Sequence, residues 1–325
     1  MKDFIVDQEC RLDVFLSTKM DESRSQLSLL IKDGFVKVNN KIQNKNSFKL
    51  KINDIINLNF PDIKSKKIDK NIDFDIEILY EDEDLLVLNK PCNLVVHGAS
   101  SVKEFTLVDW LMSKKYSLSS LNGINRAGLV HRLDKGTSGA IIIAKNNLTH
   151  QYLSKQLENK TMGRFYLALI NKSLKNDKII IEKPIIRAPN KRIKKLAIDN
   201  DERINFVNAK YAKTAFINLA TINDMALIVA KLFTGRTHQI RAHLQSINRH
   251  ILGDELYGYK GKDILNIMLH AYFIYFIHPK TKEKLYIKAP LRDDFKNILK
   301  DKIILGEFDE TISLDFIQSS FDSFV

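Results

Sequence analysis

The chain has 325 residues, with 51 Lys and Arg against 39 Asp and Glu, so its formal net charge of +12 makes a polyanion such as nucleic acid a candidate partner. This length predicts about two domains, and 44% hydrophobic residues exclude wholesale disorder, while no segment reaches the roughly 20 apolar residues of a membrane helix. Only two cysteines occur, Cys10 and Cys92, which excludes a disulfide scaffold and a cysteine zinc site and favours a reducing cytoplasm.

Residues 1–60 predict a small, separate unit with helix and strand. Apolar residues recur at helical spacing from Ser23 to Gly34, and Ser23 or Ser25 is placed to cap this helix. The alternating segment that follows is interrupted by Asn39-Asn40, which predicts a hairpin turn. The first unit is therefore expected to be a helix followed by a hairpin.

Basic residues are concentrated on this unit. Six lysines and a single acid lie between Lys32 and Lys51, which favours contacts to an RNA backbone over a merely solvated face. Lys32, Lys37 and Lys41, together with Arg24, are the predicted RNA-binding residues here.

The remaining chain predicts a linker at 61–72, a large domain at 73–307 and a peripheral C-terminal tail at 308–325. In the large domain, strand-like and helix-like segments alternate without a regular βαβ rhythm, which predicts an α+β fold with a mixed, largely antiparallel sheet. There is no Walker loop and no dinucleotide-binding glycine motif, so a nucleotide cofactor is not suggested.

The run from Gly128 to Asn146 combines charged residues and glycines directly before an apolar segment. Such a pattern predicts a loop held against a rigid strand, where Asp134 is well placed to react. The alternative is a charged turn in which Asp134 pairs with Arg132 or Lys135.

The run from Phe233 to Leu244 predicts a helix whose start is rich in hydrogen-bond donors. Thr237 is expected to cap it, and His238 and Arg241 share one face, where they suit a phosphate or a carboxylate. A solvated helix face is the alternative. Zinc is disfavoured because His238 and His243 are five residues apart.

A third run, Arg164–Ala168, predicts a strand that turns Tyr166 and Arg164 to one side. A tyrosine beside a small residue is free to stack on a flat ligand such as a base, although a core tyrosine is the commoner case.

These runs carry a family resemblance. The matching motifs, in chain order, are Asn89-Lys90-Pro91, Val96-His97, His131-Arg132-Leu133-Asp134, Thr137-Ser138-Gly139, Ala144-Lys145-Asn146, Arg164–Ala168, Thr234–Leu244, Gly253-Asp254 with Tyr257-Gly258, Leu269-His270-Ala271, His278-Pro279 and Ala289-Pro290-Leu291. Together they resemble the RluA-type pseudouridine synthases. The first 60 residues resemble the ribosomal-protein-S-four-type RNA-binding module. Arg164 stands where the family often has lysine, and Gly136 where it often has aspartate.

The resemblance implies the pseudouridine synthase fold and isomerisation of uridine to pseudouridine by base flipping, without cofactor or metal. Asp134 matches the catalytic aspartate, acting as nucleophile or as base at the ribose 2′ position. Arg241 matches the arginine that pairs with it, and Tyr166 matches the tyrosine that stacks on the uracil and can take the base proton. Arg132 matches the residue that enters the RNA stack, and Arg236 and His238 are expected to bind RNA as well.

Residues 23–25 and 126–130 are most similar to the D-type large-subunit rRNA enzymes, so large-subunit rRNA is the expected partner and a cytoplasmic monomer the expected form. The alternatives are the same reaction on tRNA or on other rRNA uridines, and a non-catalytic RNA-binding or ribosome-assembly protein on the same scaffold. A glycoside hydrolase with paired carboxylates is disfavoured by the basic character of the candidate site.

Overall fold

The computed structural model describes residues 2–20, 22, 24–60, 74–98, 104–201, 206, 208–222, 225–261, 263–302 and 312–322. The expected linker at 61–72 lies outside these residues. No helix in the described ranges combines the length and the apolar character needed to cross a bilayer.

The N-terminal unit contains two helices and two small sheets. Its elements are β1 (Lys2–Ile5), β2 (Cys10–Arg11), α1 (Leu12–Lys19), α2 (Arg24–Lys32), β3 (Val36–Val38), β4 (Lys41–Ile42), β5 (Lys49–Leu50) and β6 (Ile55–Leu58). Strands β1, β6, β3 and β4 form one antiparallel sheet, and β2 pairs with β5. A hydrophobic cluster of its own, including Leu16, Leu30 and Ile56, fills the space between the helices and the strands.

The predicted hairpin is confirmed. Asn39 and Asn40 have φ of 50° and 65°, the pair of left-handed conformations that a two-residue turn between twisted strands requires. Asparagine tolerates this conformation better than most residues because its side chain hydrogen-bonds locally. The helix before it begins at Arg24, so Ser25 lies inside the helix, while Ser23 lies outside the described residues.

The second part of the chain is built on one nine-stranded sheet. Its strands are β7 (Ile78–Glu81), β8 (Leu85–Lys90), β9 (Ser138–Ala144), β10 (Gly163–Ile170), β11 (Lys178–Ile181), β14 (Thr214–Ile222), β15 (Met225–Leu232), β16 (Leu269–Ile277) and β17 (Lys284–Lys288), while β12 (Ile185–Arg187) and β13 (Lys195–Ala197) form a separate ribbon. The order is β11-β14-β15-β10-β16-β9-β8-β7, with β17 also on β16. All of these pairs are antiparallel except β16 with β9, which confirms the α+β prediction.

The parallel contact between β9 and β16 depends on a glycine. Gly139 has a φ of +104°, and a Cβ atom there would lie 2.3 Å from the carbonyl oxygen of Ala271. Only glycine permits both this conformation and this approach. The strand that directly follows Asp134 is thereby fixed at the centre of the sheet.

Helices cover this sheet: α3 (Leu107–Ser113), α4 (Asn147–Glu158), α5 (Gln239–Ser246), α6 (Asp293–Lys302) and α7 (Leu314–Asp322). The peripheral position predicted for the C-terminal segment is wrong where the structure describes it. Phe321 is 1% exposed, and its ring centroid lies 5.5 Å from that of Phe165 on β10. Burial of such aromatic surface outweighs the acidic residues that suggested a solvated tail.

Candidate active site

A cleft of about 490 Å³ opens beside β10, between the loop that precedes β9 and the segment that leads into α5. The structure brings six predicted site residues into its lining: Arg132, Asp134, Tyr166, Arg236, His238 and Arg241. They come from three distant parts of the chain, so the fold and not sequence proximity assembles the site.

Asp134 lies at the start of the turn into β9, where its carbonyl oxygen accepts a hydrogen bond from the Thr137 backbone N–H at 3.1 Å. Its side chain is 15% exposed, and Oδ2 lies 3.7 Å from Arg241 Nη1 and 3.9 Å from His238 Nε2. These separations exceed direct hydrogen bonds, so the carboxylate is attracted by both groups without being bound by them. The pairing with Lys135 that we considered is not formed, because Lys135 contacts Glu104 at 2.7 Å.

Lys90 connects the loop of Asp134 to the segment that follows β8. Its Nζ donates to the carbonyl oxygens of Pro91 at 2.7 Å, Leu94 at 2.9 Å and Lys135 at 3.2 Å, and the residue is fully buried. Burial lowers the pKa of Lys90 to about 7. One side chain therefore connects two loops through three backbone carbonyl oxygens, of which that of Leu94 is buried.

Replacing Lys90 by Met is expected to lower the free energy of unfolding by about 3 kcal/mol, because three carbonyl groups, of which that of Leu94 is buried, lose their donor. Urea unfolding of the full chain measures this. Lys135→Met is the matched control: it removes a lysine of the same loop whose ion pair is exposed, and should cost less than about 0.5 kcal/mol. Equal effects of the two variants would contradict the assigned role of Lys90.

Arg241 is fixed by a carboxylate that our sequence reasoning did not single out. Its Nε and Nη2 donate to the two oxygens of Asp254 at 2.7 and 2.8 Å, and Asp254 is 1% exposed. Although burial opposes the charge, the hydrogen bonds and the attraction of Asp254 raise the pKa of Arg241. This bidentate pair orients the third nitrogen, Nη1, towards Asp134.

His238 approaches Asp134 from the start of α5. The helix begins at Gln239 with His238 as N-cap at a φ of 59°, so the prediction that Thr237 caps it is wrong. The first backbone N–H of the helix, that of Gln239, donates to the Arg236 carbonyl oxygen at 3.1 Å, and Gln239 Oε1 in turn accepts from the Arg236 backbone N–H at 2.9 Å.

Tyr257 sets the protonation of His238. The tyrosine oxygen accepts from the Lys195 backbone N–H at 2.9 Å and lies 3.0 Å from His238 Nδ1, so its own proton is free to point at that nitrogen. Burial lowers the pKa of His238, which keeps the ring neutral. With Nδ1 accepting, the ring proton is on Nε2 and faces Asp134.

Tyr166 lies on β10 and is 4% exposed. Burial raises the pKa of its phenol, the nearby charge of Arg164 lowers it and that of Asp134 raises it again, with a net upward shift. The ring is therefore neutral and largely apolar, which suits contact with a flat, uncharged ligand.

The cations expected to bind RNA occupy different places. Arg132 and Arg236 are exposed at the cleft, and Arg236 donates to the Tyr211 carbonyl oxygen at 3.0 Å. Arg24 lies in the N-terminal unit and contacts the buried carboxylate of Asp13 at 2.7 Å, so it stabilises this unit instead of standing free for a ligand. The predicted contact of Arg24 with RNA would therefore compete with its ion pair to Asp13.

The lysines expected to bind RNA are not part of the cleft lining. Lys32 and Lys41 are exposed on the N-terminal unit and Lys37 is half-buried there. We refer to these three lysines of the N-terminal unit as its lysine-rich surface.

Asp82, Asp84 and His278 form a cluster of potential metal-ligating groups away from the cleft. Asp82 accepts from the backbone N–H groups of Asp84 and Leu85 at 2.8 Å and lies 2.7 Å from His278 Nε2. The hydrogen bonds to Asp84 and Leu85 close the turn between β7 and β8, and the contact with His278 joins this turn to the end of β16. These contacts account for the proximity of the three side chains.

Two family models match the chain. The model described as RNA pseudouridylate synthase covers residues 84–246, and the S4 domain model covers residues 10–56. The first range contains Asp134, Tyr166 and Arg241, and the second contains the two helices and the lysine-rich surface of the N-terminal unit.

Curated relatives and a solved structure agree with these matches. An uncharacterized RNA pseudouridine synthase of Helicobacter pylori is 49% identical over 96% of this chain and 95% of its own length. The ribosomal large subunit pseudouridine synthase C of Pasteurella multocida is 34% identical over 89% of both chains. The structure of human RNA pseudouridylate synthase domain containing 1 shares the fold, with a TM-score of 0.55 at 21% identity over 69% of this chain and 86% of that one. The chain, with an S4 domain at its N-terminus, thus belongs to the RNA pseudouridine synthases of the RluA type.

Proposed function

We propose that this enzyme isomerises uridines of large-subunit rRNA and that Asp134 performs the chemistry. The observation that carries the assignment is the position of Asp134: a single carboxylate faces a basic cleft, within 4 Å of two groups that attract it without binding it. A carboxylate that is oriented but forms no direct ion pair is available to react with the ribose.

Two routes are open to Asp134. Its carboxylate either bonds to C1′ as the glycosidic bond breaks, or removes the 2′ proton so that the sugar forms a double bond. In both, Arg241 and His238 lie on one side of the carboxylate and limit the directions in which it can turn.

Tyr166 is proposed as the platform for the uracil. Its neutral ring lies in the same cleft as Asp134, so a flipped base stacked on it has its sugar near the carboxylate. Flipping costs a few kcal/mol, and the exposed Arg132 is placed to fill the gap left in the RNA. Because burial raises the pKa of the Tyr166 phenol, the phenol keeps its own proton, and we propose the ring as a platform for the base and not as the acceptor of the C5 proton.

The S4 domain is proposed to hold the RNA backbone through its lysine-rich surface. Replacing Lys32, Lys37 and Lys41 together by Gln is expected to reduce the slope of log affinity against log salt by about 2 to 3, because each phosphate contact releases counterions. Titration of RNA at several salt concentrations measures the slope. Lys155→Gln, on the exposed face of α4, is the control, and an unchanged slope in the triple variant would contradict this surface.

The choice of large-subunit rRNA is supported by similarity to a protein named for that target. The D-type subgroup remains a prediction. An rRNA substrate implies activity in the cytoplasm. We also propose that the enzyme acts as a monomer, since one chain is sufficient to bring Asp134, Tyr166 and Arg241 into one cleft.

Mapping of pseudouridine in rRNA and tRNA, with and without this gene, tests the target. Loss at large-subunit sites alone is the expected result. Loss in tRNA would replace the proposed target, and binding of rRNA without turnover would support an assembly factor instead of an enzyme of rRNA.

A further inference from the structure

Arg164 places another cation in the cleft, one that the roles above do not use. It is 9% exposed and lies two residues before Tyr166 on β10, so both side chains leave the strand on the same side and both line the cleft. An arginine buried to this degree is normally paired with a carboxylate.

No such partner exists among the residues that the structure describes. None of their carboxylate oxygens lies within 4.0 Å of the Arg164 guanidinium, and its buried Nε has no hydrogen-bond partner. Nη1 lies 2.6 Å from His131 Nδ1. Burial and the charge of Arg164 lower the pKa of His131 well below its usual value, so this neighbour is neutral and leaves the positive charge uncompensated.

An unpaired buried charge costs free energy that a ligand of opposite charge recovers. RNA phosphates are one possible source, but they lie on the backbone and suit the exposed Arg132 and Arg236. Arg164 is buried beside the proposed base platform, where the reaction itself creates negative charge.

Building on the proposed function, we propose that Arg164 is a catalytic residue that donates a hydrogen bond to a carbonyl oxygen of the flipped uracil and stabilises the negative charge of the departing base. When the C1′–N1 bond breaks, the bonding electron pair stays on the base and delocalises onto its oxygens, on either route of Asp134. When C5 then bonds to C1′, the bond between C1′ and Asp134 breaks on the first route, or Asp134 returns its proton to C2′ on the second, and the base becomes neutral. C5 then loses its proton and N1 takes one up, which gives pseudouridine. A donor aimed at developing charge in a buried site accelerates the step that creates the charge.

The test compares Arg164→Met, Arg164→Lys and Arg236→Met in the full chain, by RNA affinity and single-turnover rate on unmodified large-subunit rRNA. Arg164→Met should slow the rate by about 100-fold, with RNA affinity changed less than about threefold. Arg164→Lys, which keeps the charge, should recover the rate to within about tenfold of wild type. Arg236→Met, at the exposed mouth, should weaken binding more than it slows turnover.

RNA transcribed with 5-fluorouridine separates catalysis from packing. Fluorine withdraws electrons and makes the base a better leaving group, so consumption of 5-fluorouridine should be slowed by Arg164→Met at least about tenfold less than conversion of uridine. An equal defect on both RNAs would overturn the proposal in favour of a structural role.

A loss of affinity with an unchanged rate would overturn the proposal in favour of a phosphate contact. Thermal unfolding shows whether Arg164→Met folds, and Arg164→Gln replaces it in both assays if it does not. Failure of the wild-type enzyme to convert any RNA would instead refute the proposed function.

Discussion

Replacing Asp134 by Asn is expected to abolish pseudouridine formation, with a fall in single-turnover rate of at least about 10⁴-fold. Asparagine has nearly the same shape, but it neither attacks C1′ nor accepts the 2′ proton, so both routes fail. RNA affinity should stay within about threefold of wild type, because the carboxylate repels phosphate more than it binds it. Rates by nucleoside chromatography and affinities by filter binding measure the two quantities.

The matched control is Asp293→Asn, an exposed carboxylate at the start of α6, which should leave both quantities unchanged. Substantial turnover by Asp134→Asn would show that another group does the chemistry. Loss of RNA binding in this variant would show that Asp134 acts in the fold and not in the reaction.

The second large effect is expected at Asp254. Asp254→Asn removes the charge that holds Arg241 in place, which leaves a buried guanidinium without its partner and should cost about 3 kcal/mol of unfolding free energy. Arg241 is then free to turn fully onto Asp134 and bind it. We expect a rate loss of about 100-fold, since a small misplacement at the reacting centre has effects of this size.

A double variant, Arg241→Leu with Asp254→Leu, separates stability from catalysis. Replacing a buried ion pair by apolar side chains costs less than breaking it, so the double variant should be more stable than Asp254→Asn and still slow. Urea unfolding and single-turnover rates give the comparison. A double variant that is less stable than the single one, or one that turns over normally, would contradict the assigned roles.

The sequence predicted features that depend on local chemistry or on recurring motifs. The Asn39-Asn40 turn follows from the backbone preference of asparagine. The family resemblance implies that Asp134, Tyr166 and Arg241 act at one site, and all three line one cleft.

The sequence does not predict the contacts of residues whose partners come close only in the folded chain. Asp254 lies in a motif that we quoted, but nothing local shows that its carboxylate meets Arg241, 13 residues earlier on α5. The alternation of acidic and apolar residues from Phe308 onwards predicts a peripheral tail where the structure has the helix α7. Its contact with Phe165 becomes visible only once β10 is placed.

The contacts of Lys90 affect which of the neighbouring residues can be substituted during evolution. Its three partners are backbone oxygens, which every amino acid supplies, so residues 91, 94 and 135 can be exchanged without depriving the lysine of its acceptors. The contacts of Lys90 therefore tolerate substitutions at these positions, whereas Lys90 itself is hard to replace.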